Sequence, residues 1–281
     1  MFFNEITQER IAQFELYLLK NEKSISTSQK YMRDMKAFSV FAGGREITPE
    51  LTREYKRALL ERGYKVRSVN SMLASINSFF VFIGREDMKV KTVKLQKEVY
   101  CPAEKELTQA EYERLVNTAK AKGKGTLSLI IQTICATGIR VSELKFITVQ
   151  AVRTGYAVVS SKGKTRKVFI VPKLQKLLKK YIQSRDINSG EVFLAKNGGP
   201  VNRTVIWREM KSLCKEANVN PSKVFPHNLR HLFARVFYKM EKDIALLADI
   251  LGHSSINTTR IYIISTGEEH RKRMEKMKLV I

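Results

Sequence analysis

Four stretches in the second half of the chain gather side chains suited to handling a phosphate ester. In ATGIRVSEL, residues 136–144, Arg140 follows Gly138 at a predicted helix entrance and Glu143 comes one helical turn later. A guanidinium fork matches two phosphate oxygens, and a carboxylate at that spacing can hold the fork in one orientation. An ordinary surface Arg–Glu pair has the same spacing, so this stretch alone does not assign a chemistry. In SKGKTRKV, 161–168, Lys162, Lys164, Arg166 and Lys167 crowd the predicted tip of a hairpin, where they can meet a nucleic-acid backbone or simply be solvated. Gly163-Lys164-Thr165 imitates the end of a nucleotide-binding phosphate loop, but Val158 stands where that loop needs glycine, which excludes it.

In PHNLRHLF, 226–233, Pro226 suits a helix start, and His227 and Arg230 share a face one turn apart. His227 and His231 have the spacing of a zinc pair, yet the central Glu of the HExxH pattern is missing, so His231 reads as a packed neighbour. Finally, ILGHSSINTTRIYI, 250–263, puts Gly252-His253 at a turn between helices and Tyr262 near the end of the next one. Ser254, Ser255 and Asn257 are candidate caps there. A tyrosine so placed is, by itself, an ordinary core residue.

The elements that must position these residues follow from apolar spacing and breakers. A chain of 281 residues suggests two domains. The first reads as helices only. Ile6, Ile11, Phe14, Leu18 and Leu19 line one stripe over 5–22, and Tyr31, Met35, Phe38 and Phe41 line a second helix that Gly43-Gly44 stops. A third helix follows Thr48-Pro49 and closes at Gly63, and a fourth spans about 66–84. From about 86 to 106 the pattern breaks into a charged stretch read as an exposed linker. Thr108 and Glu111 then make a capping-box pattern. Helices are predicted near 108–121 and 125–137, strands over 156–160 and 167–171, and helices near 173–184, 203–217, 227–240, 243–251, 256–262 and 267–278. The expected class is therefore mainly α with a small β-hairpin, divided into a helical domain 1–90, a linker 91–106 and a second domain 107–281.

Charge narrows the partner. Lys plus Arg number 51 against 27 acidic residues, a net charge of +24 that points to a polyanion. No apolar run approaches membrane-spanning length, and the three scattered cysteines (Cys101, Cys135, Cys214) read as reduced thiols of a cytoplasmic protein without structural zinc.

Taken together, the four stretches resemble the active-site signature of the tyrosine recombinases, the phage integrase and Xer group. The family's first arginine box falls on Arg140, with its acidic companion on Glu143. Its hairpin lysine falls best on Lys162, with Lys164 the alternative. The His-x-x-Arg motif falls on His227 and Arg230, the Leu-Gly-His box on Leu251-Gly252-His253, and the nucleophile on Tyr262. The resemblance covers about half the chain, 136–263, with order, spacing and identity in agreement.

It implies an N-terminal SAM-like core-binding domain and a C-terminal catalytic domain of the DNA breaking-rejoining type, clamping DNA between them. It also implies strand exchange through a 3′-phosphotyrosine with no metal and no other cofactor. The implied partners are double-stranded DNA recombination sites, held by a homotetramer, or by a heterotetramer with a related recombinase, that passes through a Holliday junction. Lys164, Arg166 and Lys167 become expected DNA contacts, and His231 a supporting residue. With no room for an arm-binding domain, the chain resembles the short Xer-like or transposon-type members. Two alternatives share these features: a type IB topoisomerase-like enzyme, and a catalytically silent DNA-binding regulator. The apolar tail residues Met274, Met277, Leu279, Val280 and Ile281 can dock on their own domain or on a neighbouring subunit.

Overall fold

The computed structural model describes residues 7–95, 103–161, 163–195, 198–263, 271 and 274–277. The chain divides into two compact units, Met1–Lys97 and Glu98–Ile281. Among the described residues no helix is long and apolar enough to cross a membrane.

The first unit holds α1 (Gln8–Lys20), α2 (Ile25–Ala42), α3 (Pro49–Glu61) and α4 (Val66–Phe82). Thr7, Ser24 and Thr48 each accept a main-chain N–H at a helix start, so hydroxyl residues set three of the four N-termini. Phe14, Met35, Phe38, Leu73, Phe79 and Phe80 are fully buried between the helices. Leu19, counted on the apolar stripe, is exposed instead, and Ile6 lies outside the described residues.

The stretch read as an exposed linker begins as part of this bundle. Met88 and Val90 are buried, and Asn77 and Asn70 on α4 exchange paired hydrogen bonds with the main chain of Val90 and Val93. Each asparagine side chain offers a donor and an acceptor, so it satisfies an extended strand's backbone without a sheet. That pairing leaves no periodic signal in the sequence.

The second unit opens with α5 (Gln109–Ala121), where Thr108 and Glu111 form the expected capping box. Helix α6 (Gly125–Thr137) is buried on nearly every side and ends at Gly138, whose φ of +65° terminates it. A 3-10 turn over Val141–Phe146 and a short α7 (Val149–Thr154), not anticipated from the sequence, lead into the hairpin. Then come α8 (Pro172–Ser184), α9 (Arg203–Ser212), α10 (Pro226–Glu241), α11 (Ile244–Leu251) and α12 (Ile256–Ile263). Helix α9 is shorter than expected, because residues 213–218 turn while Leu213, Cys214 and Ala217 stay buried. Helix α10 packs on both α6 and α12, which brings distant motifs together. Cys135 and Cys214 are free, and burial pushes the Cys135 thiol up to about 12. Cys101 and most of the expected 267–278 helix lie outside the described residues; Met274 and Met277 are exposed.

The hairpin is tighter than the sequence suggested. Strand β1 (Tyr156–Ser161) pairs antiparallel with β2 (Lys164–Phe169), with Ser161 opposite Lys164. Residues 164–166, expected in a loose basic tip, are therefore in the ladder. Side chains alternate along a strand, so Arg166 shares the inward row with Val168, opposite the buried Val159 and Ala157. Lys167 takes the outer face, its ammonium 5.0 Å from the Tyr156 ring centre.

Candidate active site

Arg230 is the centre of the cluster. It is 0% exposed on α10, and its guanidinium ties three segments together. Nη1 donates to the Gly138 carbonyl at 2.5 Å, and Nη2 donates to the Leu251 carbonyl at 2.7 Å and meets His253 Nε2 at 3.0 Å. The acceptors are the carbonyl of the glycine that ends α6 and that of the last residue of α11. Burial first, and then the neighbouring Arg140, lower its pKa to about 10, so it stays a cation near neutral pH.

His253 is fixed from both sides. A guanidinium can only donate, so Nε2 accepts from Arg230, and the ring proton sits on Nδ1, directed at Thr259 Oγ1 at 2.9 Å. Burial and then Arg230 pull its pKa down to about 4, consistent with a neutral ring.

Tyr262, on α12, is buried, and its hydroxyl lies 3.2 Å from His227 Nε2. Its ring is 4.2 Å from that of His231 and 5.3 Å from that of His253, centre to centre. His231 therefore packs on the tyrosine face; burial and then His227 push its pKa down to about 3. Burial, then Arg230 and Arg140, also lower the pKa of His227, which keeps its ring neutral and able to accept a proton.

Arg140 begins the 3-10 turn beyond α6. Its main-chain N–H and Nη1 both donate to Glu143, at 2.8 and 2.9 Å. Burial alone would raise the pKa of the Glu143 carboxyl, but hydrogen bonds from Arg166 and from the Arg140 main chain prevail and hold it low. Arg166 thus differs from its expected role as a DNA contact, because its guanidinium faces inward onto this carboxylate. Lys164 and Lys167 are exposed as expected. Lys162 lies outside the described residues.

Arg140, Arg230 and His227 line one cleft of about 530 Å³ together with Ser142, Arg203 and Trp207. The last two come from α9, which the sequence reading predicted as a helix without singling out any residue. Thr259 was missed too, since a threonine hydroxyl beneath a histidine ring carries no pattern of its own.

The Phage integrase family profile matches residues 105–269, and the profile of the phage integrase N-terminal SAM-like domain matches 11–87. The chain belongs to the phage integrase family, the class of the tyrosine recombinases. Tyrosine recombinase XerD of Halalkalibacterium halodurans is 30% identical over 92% of this chain and 93% of its own. The crystal structure of XerA recombinase is similar over 98% of this chain and all of that one, with 25% identity and a TM-score of 0.55. A lambda integrase tetramer bound to a Holliday junction shares the fold at a TM-score of 0.73, with 19% identity, over 92% of this chain and 78% of that one.

Proposed function

We propose that this enzyme cuts and rejoins DNA at specific sites through a 3′-phosphotyrosine formed on Tyr262. The observation that carries the reading is the Tyr262 hydroxyl, 3.2 Å from a neutral His227, inside a cluster that also holds Arg230 and His253. A phosphodiester resists a nucleophile because its oxygens are charged, and Arg140 and Arg230 neutralise that charge as the transition state forms. His227 takes the phenolic proton while the tyrosine oxygen bonds to phosphorus. The 5′-oxygen leaves and takes a proton, which we assign to Lys162 on its sequence match. His253 adds a hydrogen bond to the same phosphate once Arg230 turns from its Nε2 towards the DNA and that nitrogen takes up a proton, so that Nε2–H can donate. The phosphotyrosine keeps the energy of the broken ester, so a 5′-hydroxyl reseals it without ATP.

The partners in this reading are paired double-stranded DNA sites, met in the cytoplasm. They are held by a homotetramer, or by a heterotetramer with a related recombinase, as the lambda integrase tetramer on its junction suggests. The N-terminal bundle, within 1–90, would serve as the core-binding domain and 107–281 as the catalytic one.

The test is to incubate the protein with nicked duplexes of randomised sequence, denature in SDS and recover the DNA that stays attached. Proteolysis of the recovered adduct should map the phosphate to Tyr262. Absence of any adduct, or attachment elsewhere, rules the proposal out.

Two further results are expected. His227 must be neutral to act, and its pKa is lowered in the free protein. The second-order rate of adduct formation, which reports the free enzyme, should stay level as pH falls through the ordinary histidine value near 6.5 and drop only below it. A titration centred on that ordinary value would contradict the assignment. In addition, Trp207, the single tryptophan, is 45% exposed and lines the cleft. DNA seated there covers the indole, so its emission should be quenched on saturation with duplex; unchanged emission would place the DNA on another face.

A further inference from the structure

Arg166 uses every arm of its guanidinium inside the protein. Nη1 and Nη2 donate to the two oxygens of Glu143 at 3.2 and 2.7 Å, and Nε donates to the Ile250 carbonyl at 3.2 Å. Its side chain is only 13% exposed, although it sits three residues from the hairpin turn. The Glu143 carboxylate thereby lies between two arginines, with Arg140 held on its other side at 2.9 Å.

The contact with the loop before His253 is just as close. Gly252 has φ +67°, and a Cβ there would stand 2.8 Å from Arg166 Cδ, so the arginine stem fills the space a side chain would need. One residue on β2 therefore touches the carboxylate that orients Arg140 and the turn that precedes His253.

We propose that Arg166 is a positioning residue for strand cleavage: it sets the direction of the Arg140 guanidinium through Glu143. This rests on the reading of Arg140 as a ligand of the scissile phosphate. Without Arg166, Glu143 is a buried carboxylate with half its hydrogen bonds, and Arg140 is the nearest donor able to complete them. Arg140 is then drawn towards the protein and away from the cleft. A displacement of about 1 Å at a charge-stabilising group is enough to slow a reaction by roughly 10²-fold.

The test uses the full chain and duplexes recovered by adduct formation from the randomised pool. Arg166→Lys keeps the charge but loses the fork. It should cut the rate of adduct formation on the order of 10²-fold. In a Tyr262→Phe background it should leave DNA affinity and its salt dependence unchanged, since no phosphate contact is removed. A methylphosphonate at the cleaved position removes the charge that Arg140 must neutralise. On that substrate the natural chain, Arg140→Ala and Arg166→Lys should converge in rate. If the lysine variant does not fold, Glu143→Gln reads the same link from its other end and should behave alike.

A natural rate on the ordinary duplex overturns the proposal. So does a deficit that persists on the methylphosphonate while Arg140→Ala is relieved, because Arg166 would then act through something other than Arg140. A fall in affinity and salt slope would return Arg166 to the DNA face. If Arg140→Ala itself is not relieved, the phosphate role of Arg140 fails, and this inference fails with it. If the natural chain forms no adduct, the cleavage reading is what has failed.

Discussion

A Tyr262→Phe chain is expected to bind DNA as the natural protein does and to form no covalent adduct. Phenylalanine keeps the ring packed 4.2 Å from His231 and within the small cluster of Ala234, Leu247 and Leu251. Only the hydroxyl and its bond to His227 are lost, a change worth about 1 kcal/mol of stability. The rate, in contrast, should fall on the order of 10⁶-fold, the scale on which deletion of a nucleophile acts. Denaturing gels over a time course, run beside equilibrium binding to the same duplex, separate the two effects. Adduct from the variant at a measurable rate would move the nucleophile to another residue.

Arg230→Lys is the second large effect, and it has two components. Lysine keeps a positive charge, but as a compact ammonium it cannot span the Gly138 and Leu251 carbonyls and His253 at once. A buried carbonyl that loses its donor costs about 1–3 kcal/mol, so the melting temperature should fall. If Arg230 also neutralises the scissile phosphate as proposed, losing its guanidinium should lower the cleavage rate by roughly 10²–10³-fold. Single-turnover cleavage measured well below the variant's own melting point isolates the second component. A rate within a few-fold of the natural one there would show that Arg230 serves the fold alone.

Both effects follow from one structural choice. The protein buries Arg230 and surrounds it with histidine rings whose pKa values burial and positive charge hold low. Three neutral histidines beside two arginines leave the positive charge of the cluster on the arginines.

The sequence by itself determined most elements and the identity of the cluster. The helix start at Thr48-Pro49, the capping box at Thr108 and Glu111 and the glycine stop at Gly43 are local signals, because each depends on residues within one turn. The resemblance to the tyrosine recombinase boxes picked out Arg140, Glu143, His227, Arg230, His253 and Tyr262, which the fold brings into one region.

Tertiary structure decided what local signals cannot carry. Whether Arg166 points to DNA or to Glu143 depends on a strand register set by which hairpin face meets the core, and a shift of one residue would reverse it. The seating of 86–93 on α4 depends on two asparagines that meet their backbone partners only after the bundle has formed. The same holds for Thr259 beneath His253 and for α9 on the cleft wall. In each case the deciding contact joins groups that become neighbours only when separate elements pack, and local periodicity holds no record of that event.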